Sequence, residues 1–251
     1  MTHKIIKWGL AFHGTFHVLE FALNMGEGAY LSALFTLLTR ILMIAGAYIT
    51  RPYNSLKTSN VTVIAHRGAH FGVKKDMNTL KAFHKAIELQ CDYIETDILC
   101  TSDNILVCFH DLKIAGRFIK DITFSKLLKL SQKDICTFED YLSLHSQIKL
   151  DIEIKASGYE DLIWDKLKDI PSDRYVVKSF DLGILKKLRT YSANIRLGYL
   201  IREQKELALF PEDLNLSFIS PKLGIINNSF QLKVKERGLE VWPWTIETIS
   251  E

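Results

Sequence analysis

Short apolar runs rich in β-branched residues alternate with amphipathic segments from residue 61 onward. This alternation indicates an α/β fold with a mainly parallel sheet and helices outside it, a (β/α) barrel of the TIM type. Such a fold places ligands at the carboxyl ends of its strands. The predicted strands are 61–65, 92–99, 149–155, 175–180, 195–201, 216–220 and 239–246. The predicted helices are 79–90, 123–145, 159–169, 181–192, 203–209 and 229–238.

One further apolar run, 105–111, follows the second strand after only the short segment 101–104. Parallel strands need a crossover of about a dozen residues or more, so this run is expected to return antiparallel as a hairpin. Pairing through a turn near 102–103 places His110 roughly opposite Glu95 and so close to the acid pair.

The first part of the chain has a different pattern. Residues 30–49 form an apolar stretch of 20 residues with one charge, Arg40, which is long enough to cross a bilayer as a helix. Residues 5–23 are also apolar but carry several polar side chains, so they predict a second span or a helix lying along the interface. A buried helix of a globular domain is the alternative for 30–49. We therefore expect one or two transmembrane helices preceding the barrel.

Domain boundaries follow from these patterns. Residues 1–52 are expected to anchor the chain in a membrane, 53–60 to form a polar linker and 61–251 to form the barrel domain. If both apolar stretches cross the membrane, the turn between them at 26–28 lies on the opposite side from the two outer ends. Basic residues flank the outer ends, whereas the turn has none. The positive-inside rule then predicts a membrane protein whose barrel domain lies in the cytoplasm.

Composition narrows the function classes. The 251 residues are 47% hydrophobic and carry a formal net charge of +3, with basic residues distributed along the chain, so binding to nucleic acid is not favoured. The four cysteines form no CxxC pair and predict neither a zinc site nor a disulfide framework. Nothing in the pattern indicates an oligomeric state.

Acidic residues interrupt two of the predicted strands. Glu95 and Asp97 are two apart and share one face, and so do Asp151, Glu153 and Lys155 on the next strand. The apolar residues between them belong against the helices, so the carboxylates point into the barrel. A buried carboxylate costs several kcal/mol unless it is paired or binds a cation.

A hard divalent metal would provide this compensation. Glu95, Asp97 and Glu153 would supply three oxygen ligands and leave positions for water and substrate, as Mg²⁺ or Ca²⁺ prefers. Alternatively, Lys155 and other basic residues neutralise the acids in a structural network.

Two histidines end strands at the same rim. His66 follows the first strand and His110 ends the hairpin run, and an imidazole pair beside a metal-bound phosphate suits a general acid and a general base. Arg67 and Lys155 supply positive charge for phosphate oxygens.

Six segments at these strands and turns resemble the glycerophosphodiester phosphodiesterase family. They occur in the family's order and at family-like spacing over residues 61–250. The segments are HRG at 66–68, NTLKAFHKAIELQCDYIETDI at 78–98, TSDNILVCFHD at 101–111, DIEIK at 151–155, KSF at 178–180 and WTI at 244–246.

The resemblance implies a barrel hydrolase that uses a divalent metal to cleave a glycerophosphodiester, such as a deacylated lipid, to glycerol 3-phosphate and an alcohol. The expected partners are this substrate, or a related lipid head group, and a lipid bilayer. Seven of the family's functional positions are matched here. By this resemblance they are the metal ligands Glu95, Asp97 and Glu153, the acid/base pair His66 and His110, and the phosphate-binding Arg67 and Lys155.

Three departures from the family pattern concern activity. Met77 replaces an acidic residue that Asp76 could supply only from a shifted position, and Glu247 replaces an Asn. The sequence ends at Glu251, before the family's last strand, so the barrel is expected to lack one of eight strands. The alternatives are therefore a catalytically weak remnant that acts as a membrane-bound binding protein, or a phospholipase D-like lysolipid phosphodiesterase.

Overall fold

Seven parallel strands form one curled sheet around which the helices pack. The computed structural model describes residues 61–246. Within these residues no helix has both the length and the apolar character needed to cross a membrane. The predicted spans at 5–23 and 30–49, the linker 53–60 and Glu247 lie outside the described residues.

The sheet order is β1-β2-β6-β7-β8-β9-β10, with parallel pairing throughout, and β3 pairs antiparallel with β2. Within the described residues β1 and β10 pair with one neighbour each, which makes the sheet a half-barrel and confirms a TIM-barrel-like α/β fold. The strands are β1 Ile64–Ala65, β2 Tyr93–Cys100, β3 Leu106–Cys108, β4 Lys113–Ile114, β5 Arg117–Phe118, β6 Lys149–Ile154, β7 Tyr175–Ser179, β8 Leu197–Ile201, β9 Phe218–Pro221 and β10 Glu240–Val241.

The helices begin at side chains that cap their free backbone N–H groups. Thr79, Thr123, Asp181 and Asn227 each accept such a hydrogen bond. The α-helices are α1 Leu80–Glu88, α2 Phe124–Ser131, α3 Phe138–Leu142, α4 Glu160–Leu167, α5 Leu182–Tyr191 and α6 Asn228–Glu236.

Two predicted helices differ from the observed ones. The single helix predicted at 123–145 is interrupted, because Gln132 adopts a left-handed conformation that ends α2 and Thr137 begins α3 with a capping box. The predicted helix at 203–209 is a short 3-10 helix, Gln204–Ala208.

The apolar residues of β2 and β6 face the helices. Ile94, Ile98, Leu150, Ile152 and Ile154 are almost fully buried in the main core with side chains of α1 and α3. Burial of each such side chain contributes about 2 kcal/mol. The alternate positions, which carry the acids, therefore point to the inner side of the curled sheet, as the sequence pattern predicts.

An aromatic cluster lines the inner side near the amino ends of the strands. Tyr93 on β2 and Phe218 on β9 both contact Trp242, at ring-centroid distances of 5.1 and 4.4 Å. Tyr93 and Trp242 lie near opposite ends of the strand order, so their contact shows how far the sheet curls. The charged side chains lie one layer above this cluster, toward the carboxyl ends.

A second, smaller core fixes the segment that follows β3. It holds Leu99 and Val107 from the sheet together with Ile119, Ile122 and Leu127. Residues 112–135 are thereby packed onto β2 and β3 as a defined structure that includes the hairpin β4–β5 and α2.

Candidate active site

Four carboxylates lie side by side on the inner face of β2 and β6. The register of this parallel pair places Glu95 beside Asp151 and Asp97 beside Glu153. All four are buried, with at most 8% of each residue exposed. The two-residue spacing within each strand turns the carboxylates to the inner face. The register between the two strands then brings all four close together.

Three of these carboxylates meet the geometric requirement for one metal ion. Glu95, Asp97 and Glu153 each offer an oxygen, and these atoms lie within 4.8 Å of one another. Ligand oxygens around one Mg²⁺ or Ca²⁺ are separated by about 3–5 Å, so the set fits a hard divalent cation. The three residues predicted as ligands therefore converge.

Lysine side chains also enter this layer. Lys155 Nζ lies 2.9 Å from Glu153 Oε1 and 3.3 Å from Asp97 Oδ1. Lys178 Nζ lies 2.7 Å from Asp151 Oδ2 and 3.6 Å from Glu95 Oε1. The neutralising network that the sequence left as an alternative is therefore present alongside the carboxylate triad.

Burial and these neighbours shift the pKa values in different directions. Desolvation raises the pKa of Glu95 to about 8, despite the opposing charge of Lys178. Burial also favours the neutral form of Asp97, but Lys155 and Arg67 outweigh it and lower the pKa. In the metal-free site burial thus favours the protonated form of Glu95, whereas the neighbouring cations favour the ionised form of Asp97.

The turn after β1 brings His66 and Arg67 to this layer. Arg67 has a φ of 56°, its backbone N–H donates to Glu95 Oε2 at 2.9 Å, and its Nε lies 3.2 Å from Asp97 Oδ2. Burial and the adjacent Arg67 lower the pKa of His66 to about 3. His66 is therefore held as a neutral imidazole by its surroundings.

His110 reaches the site from β3. The observed register pairs Ile98 with Cys108, one residue away from the predicted pairing, because the connection closes with a hydrogen bond from Thr101 N to Ile105 O. The predicted pairing, which places His110 roughly opposite Glu95, is therefore off by one residue. His110 is close enough to Asp97 to add to the lowering of its pKa by Lys155 and Arg67.

The two histidines approach along one edge of β2. Parallel β1 pairs with the first half of β2 and antiparallel β3 with its last residues, so the ends of β1 and β3 point toward each other. His110 Nδ1 lies 2.7 Å from Asp111 Oδ1, and two-fifths of the His110 side chain is exposed. A partly buried imidazole and a more exposed one therefore lie near the triad.

Lys178 and Asn78 are site residues that the sequence reasoning did not assign. Lys178 is a charged residue in an otherwise apolar strand, and that interruption was the available signal. Asn78, with a φ of 57°, donates to Asp97 Oδ2 at 3.0 Å and accepts a hydrogen bond from Thr96. The contact of Asn78 with Asp97 depends on tertiary structure.

Met77 stands where the family has an acidic residue, and its contacts and those of Asp76 show how this difference changes the surroundings of Arg67. Arg67 Nη1 lies 3.8 Å from Met77 Sδ, where the resemblance leads one to expect a carboxylate. Asp76 does not replace that carboxylate, because it pairs with Lys81 at the surface at 2.9 Å. The Nη1 group of Arg67 therefore has no carboxylate partner at Met77 and can bind an anionic ligand.

Comparisons with known proteins agree with this geometry. The glycerophosphoryl diester phosphodiesterase family model matches residues 66–250. A glycerophosphodiester phosphodiesterase of Caldanaerobacter subterraneus subsp. tengcongensis is 27% identical over 212 residues, which cover 74% of this chain and 85% of the relative.

Solved structures share the fold. The glycerophosphodiester phosphodiesterase of Thermotoga maritima matches with a TM-score of 0.64 and 24% identity, covering 76% of this chain and 88% of that chain. A phosphodiesterase of Oleispira antarctica, solved in complex with the product sn-glycerol-3-phosphate, matches with a TM-score of 0.65 and 23% identity. The match covers 76% of this chain and 86% of that chain. The family predicted from the motifs is thus confirmed, and this chain belongs to the glycerophosphoryl diester phosphodiesterase family of enzymes.

Proposed function

We propose that this enzyme hydrolyses glycerophosphodiesters to glycerol 3-phosphate and an alcohol, at a membrane and with a divalent metal. The convergence of Glu95, Asp97 and Glu153 within 4.8 Å carries the proposal. Product-bound sn-glycerol-3-phosphate in the Oleispira antarctica relative supports the substrate class. The assembled site argues against a remnant that only binds.

Glu95, Asp97 and Glu153 would hold the metal, Mg²⁺ or Ca²⁺ by ligand type. When bound, this cation supplies positive charge that stabilises the phosphoryl oxygens in the transition state. Arg67 and Lys155 supply further positive charge, and both are positioned by Asp97. Their cationic groups bind the phosphate and orient it toward the histidines.

The two histidines move the protons. His66, at the end of β1 beside the triad, accepts the proton of the attacking water as its oxygen bonds to phosphorus. The bond from phosphorus to the alcohol oxygen then breaks, and His110 donates a proton to that oxygen. Asp111 accepts a hydrogen bond from His110 Nδ1, which orients the ring and leaves Nε2 to carry the transferred proton.

The test is hydrolysis by the full chain in detergent. Glycerophosphocholine, glycerophosphoethanolamine and glycerophosphoglycerol are supplied with Mg²⁺, Mn²⁺ or Ca²⁺, and released glycerol 3-phosphate is measured. We expect turnover that a chelator stops. Glu153→Gln should lower kcat/KM by about 100-fold or more, because one ligand carboxylate is lost.

Glu236→Gln is the matched control, because this exposed carboxylate lies on α6 and should not affect the rate. Wild-type chain with no turnover under any of the three metals would refute the proposal in favour of a binding protein. Activity that survives in Glu153→Gln would refute the assigned metal ligands.

A further inference from the structure

Basic residues are concentrated in the segment that follows His110. Residues 112–133 contain six Lys and Arg and one Asp, a net charge of +5, whereas the whole chain has +3. The remainder of the chain is therefore slightly acidic. The distribution of basic residues is therefore uneven at this segment, which follows the candidate site residue His110 in the chain.

The same segment exposes large apolar side chains. Leu112 is 46% exposed, and Phe118 and Leu128 are each 40% exposed. Lys113 Nζ lies 4.2 Å and Lys120 Nζ 5.7 Å from the centre of the Phe118 ring. Basic and apolar groups are therefore interleaved on one surface.

The hairpin β4–β5 presents this surface as a defined structure. Its turn, Ala115 and Gly116, has positive φ at both residues, as a tight two-residue hairpin requires. Ile119, directly after the hairpin, is 1% exposed in the second core and anchors it. The segment begins two residues after His110, so its surface adjoins the entrance to the site.

We propose that residues 112–129 bind an anionic lipid bilayer and hold the active-site entrance at the membrane. The docking surface consists of the hairpin β4–β5 and the exposed side of α2. Interleaved basic and apolar groups are the pattern of interfacial binding, since the basic groups meet lipid phosphates while the apolar groups enter the head-group region. A nucleic acid would engage the basic groups but leave Leu112, Phe118 and Leu128 exposed. The inference rests on the membrane location proposed above.

The experiment uses the full chain in nanodiscs of phosphatidylcholine alone or mixed with phosphatidylglycerol. An environment-sensitive fluorophore is attached at Ala115→Cys in the hairpin turn, with the labelled unsubstituted chain as background. With anionic lipid we expect a blue shift and a rise in emission on the order of twofold, because the turn enters the interface. In neutral lipid the change should be small.

Charge-reversal substitutions, with a matched control, test whether the response depends on this surface or on any exposed basic surface of the chain. Lys113→Glu, Arg117→Glu and Phe118→Ser together should abolish the response, since each basic residue contributes about fivefold to binding. The control on α6 combines Leu232→Ser, Lys233→Glu and Lys235→Glu, which remove the same chemistry from another exposed surface. The control should keep the full response.

Several results would overturn the inference. They are an equal response in neutral and anionic nanodiscs, a response that survives the hairpin substitutions, and displacement of the fluorophore signal by duplex DNA or RNA. Hydrolysis of water-soluble glycerophosphocholine monitors folding and should be unchanged in the hairpin variant. A chain that hydrolyses this diester but does not stay in membranes would refute the membrane location separately, and a chain without hydrolysis would refute the proposed activity.

Discussion

Arg67 and Gly68 show how single residues at one turn organise the site. Both have positive φ, at 56° and 79°, and this conformation directs the Arg67 N–H to Glu95 while its side chain reaches Asp97. Gly68 also lies against α1, where an added Cβ would be 2.8 Å from backbone and side-chain atoms of Ala82. The HRG motif therefore combines chemistry with a backbone requirement.

Two glycines allow this requirement to be measured. Gly72 has the same φ of 79° but open space where a Cβ would lie, so Gly72→Ala should cost about 1 kcal/mol from conformation alone. Gly68→Ala adds the overlap with Ala82 and should cost about 2–4 kcal/mol. Thermal unfolding of the full chain in detergent compares the two. Equal melting temperatures would show that the close approach to α1 has no energetic weight.

The pKa of Glu95 leads to a second residue-scale prediction. Since the pKa is raised to about 8, metal binding must displace a proton. Metal affinity should fall about tenfold for each pH unit below about 8 from this group alone. Calorimetric titration with Mn²⁺ in buffers of different ionisation enthalpy counts the released proton. Glu95→Gln should release one proton fewer, and an affinity independent of pH would contradict the prediction.

At the scale of elements, pairing between strands decides which charges meet. Alternation along β2 and β6 predicts that the acids face inward, and the structure agrees. The partner of each acid depends on register, and β3 shows that a one-residue difference in a turn changes which residue of β2 each residue of β3 pairs with. Lys178 on β7 meets Asp151 on β6 only through such pairing.

The ion pair between β6 and β7 can be tested by a double-mutant cycle. Lys178→Met leaves Asp151 as a buried unpaired carboxylate and should destabilise the chain by about 3–5 kcal/mol. Combining it with Asp151→Asn should recover most of that loss, because no buried charge remains unpaired. Melting temperatures of the three variants in detergent measure the coupling. Additive effects would contradict it.

At the scale of the whole molecule, the half-barrel sheet brings distant segments together. The site combines residues from 66 to 178, and Tyr93 meets Trp242 across the curl. The described residues 61–246 form the fold without any helix that could span a membrane. The proposed attachment to a membrane would use the apolar stretches 5–23 and 30–49 of the sequence, in addition to the proposed docking surface.

Fractionation tests this attachment. Because residues 30–49 form an apolar stretch of spanning length, the full chain should stay with membranes after high salt and alkaline carbonate washes. By the distribution of basic residues, protease added outside sealed cells should leave residues 61–251 intact. Release of the chain by carbonate would contradict the spans, and digestion from outside would contradict the cytoplasmic orientation.

The fold class, the inward direction of the carboxylates and the motifs of the family could all be predicted from the amino-acid sequence, because they depend on local periodicity and on residue types at fixed spacing. The prediction of one helix over 123–145 was wrong, because Gln132 adopts a left-handed conformation that ends the first part of the helix. The register of β3 and with it the place of His110, the pairing of Lys178 with Asp151 and Glu95, and the pKa of Glu95 depend on how the chain folds in three dimensions. Register, burial and the distance between charges arise when strands far apart in sequence pack together, and no local pattern encodes them.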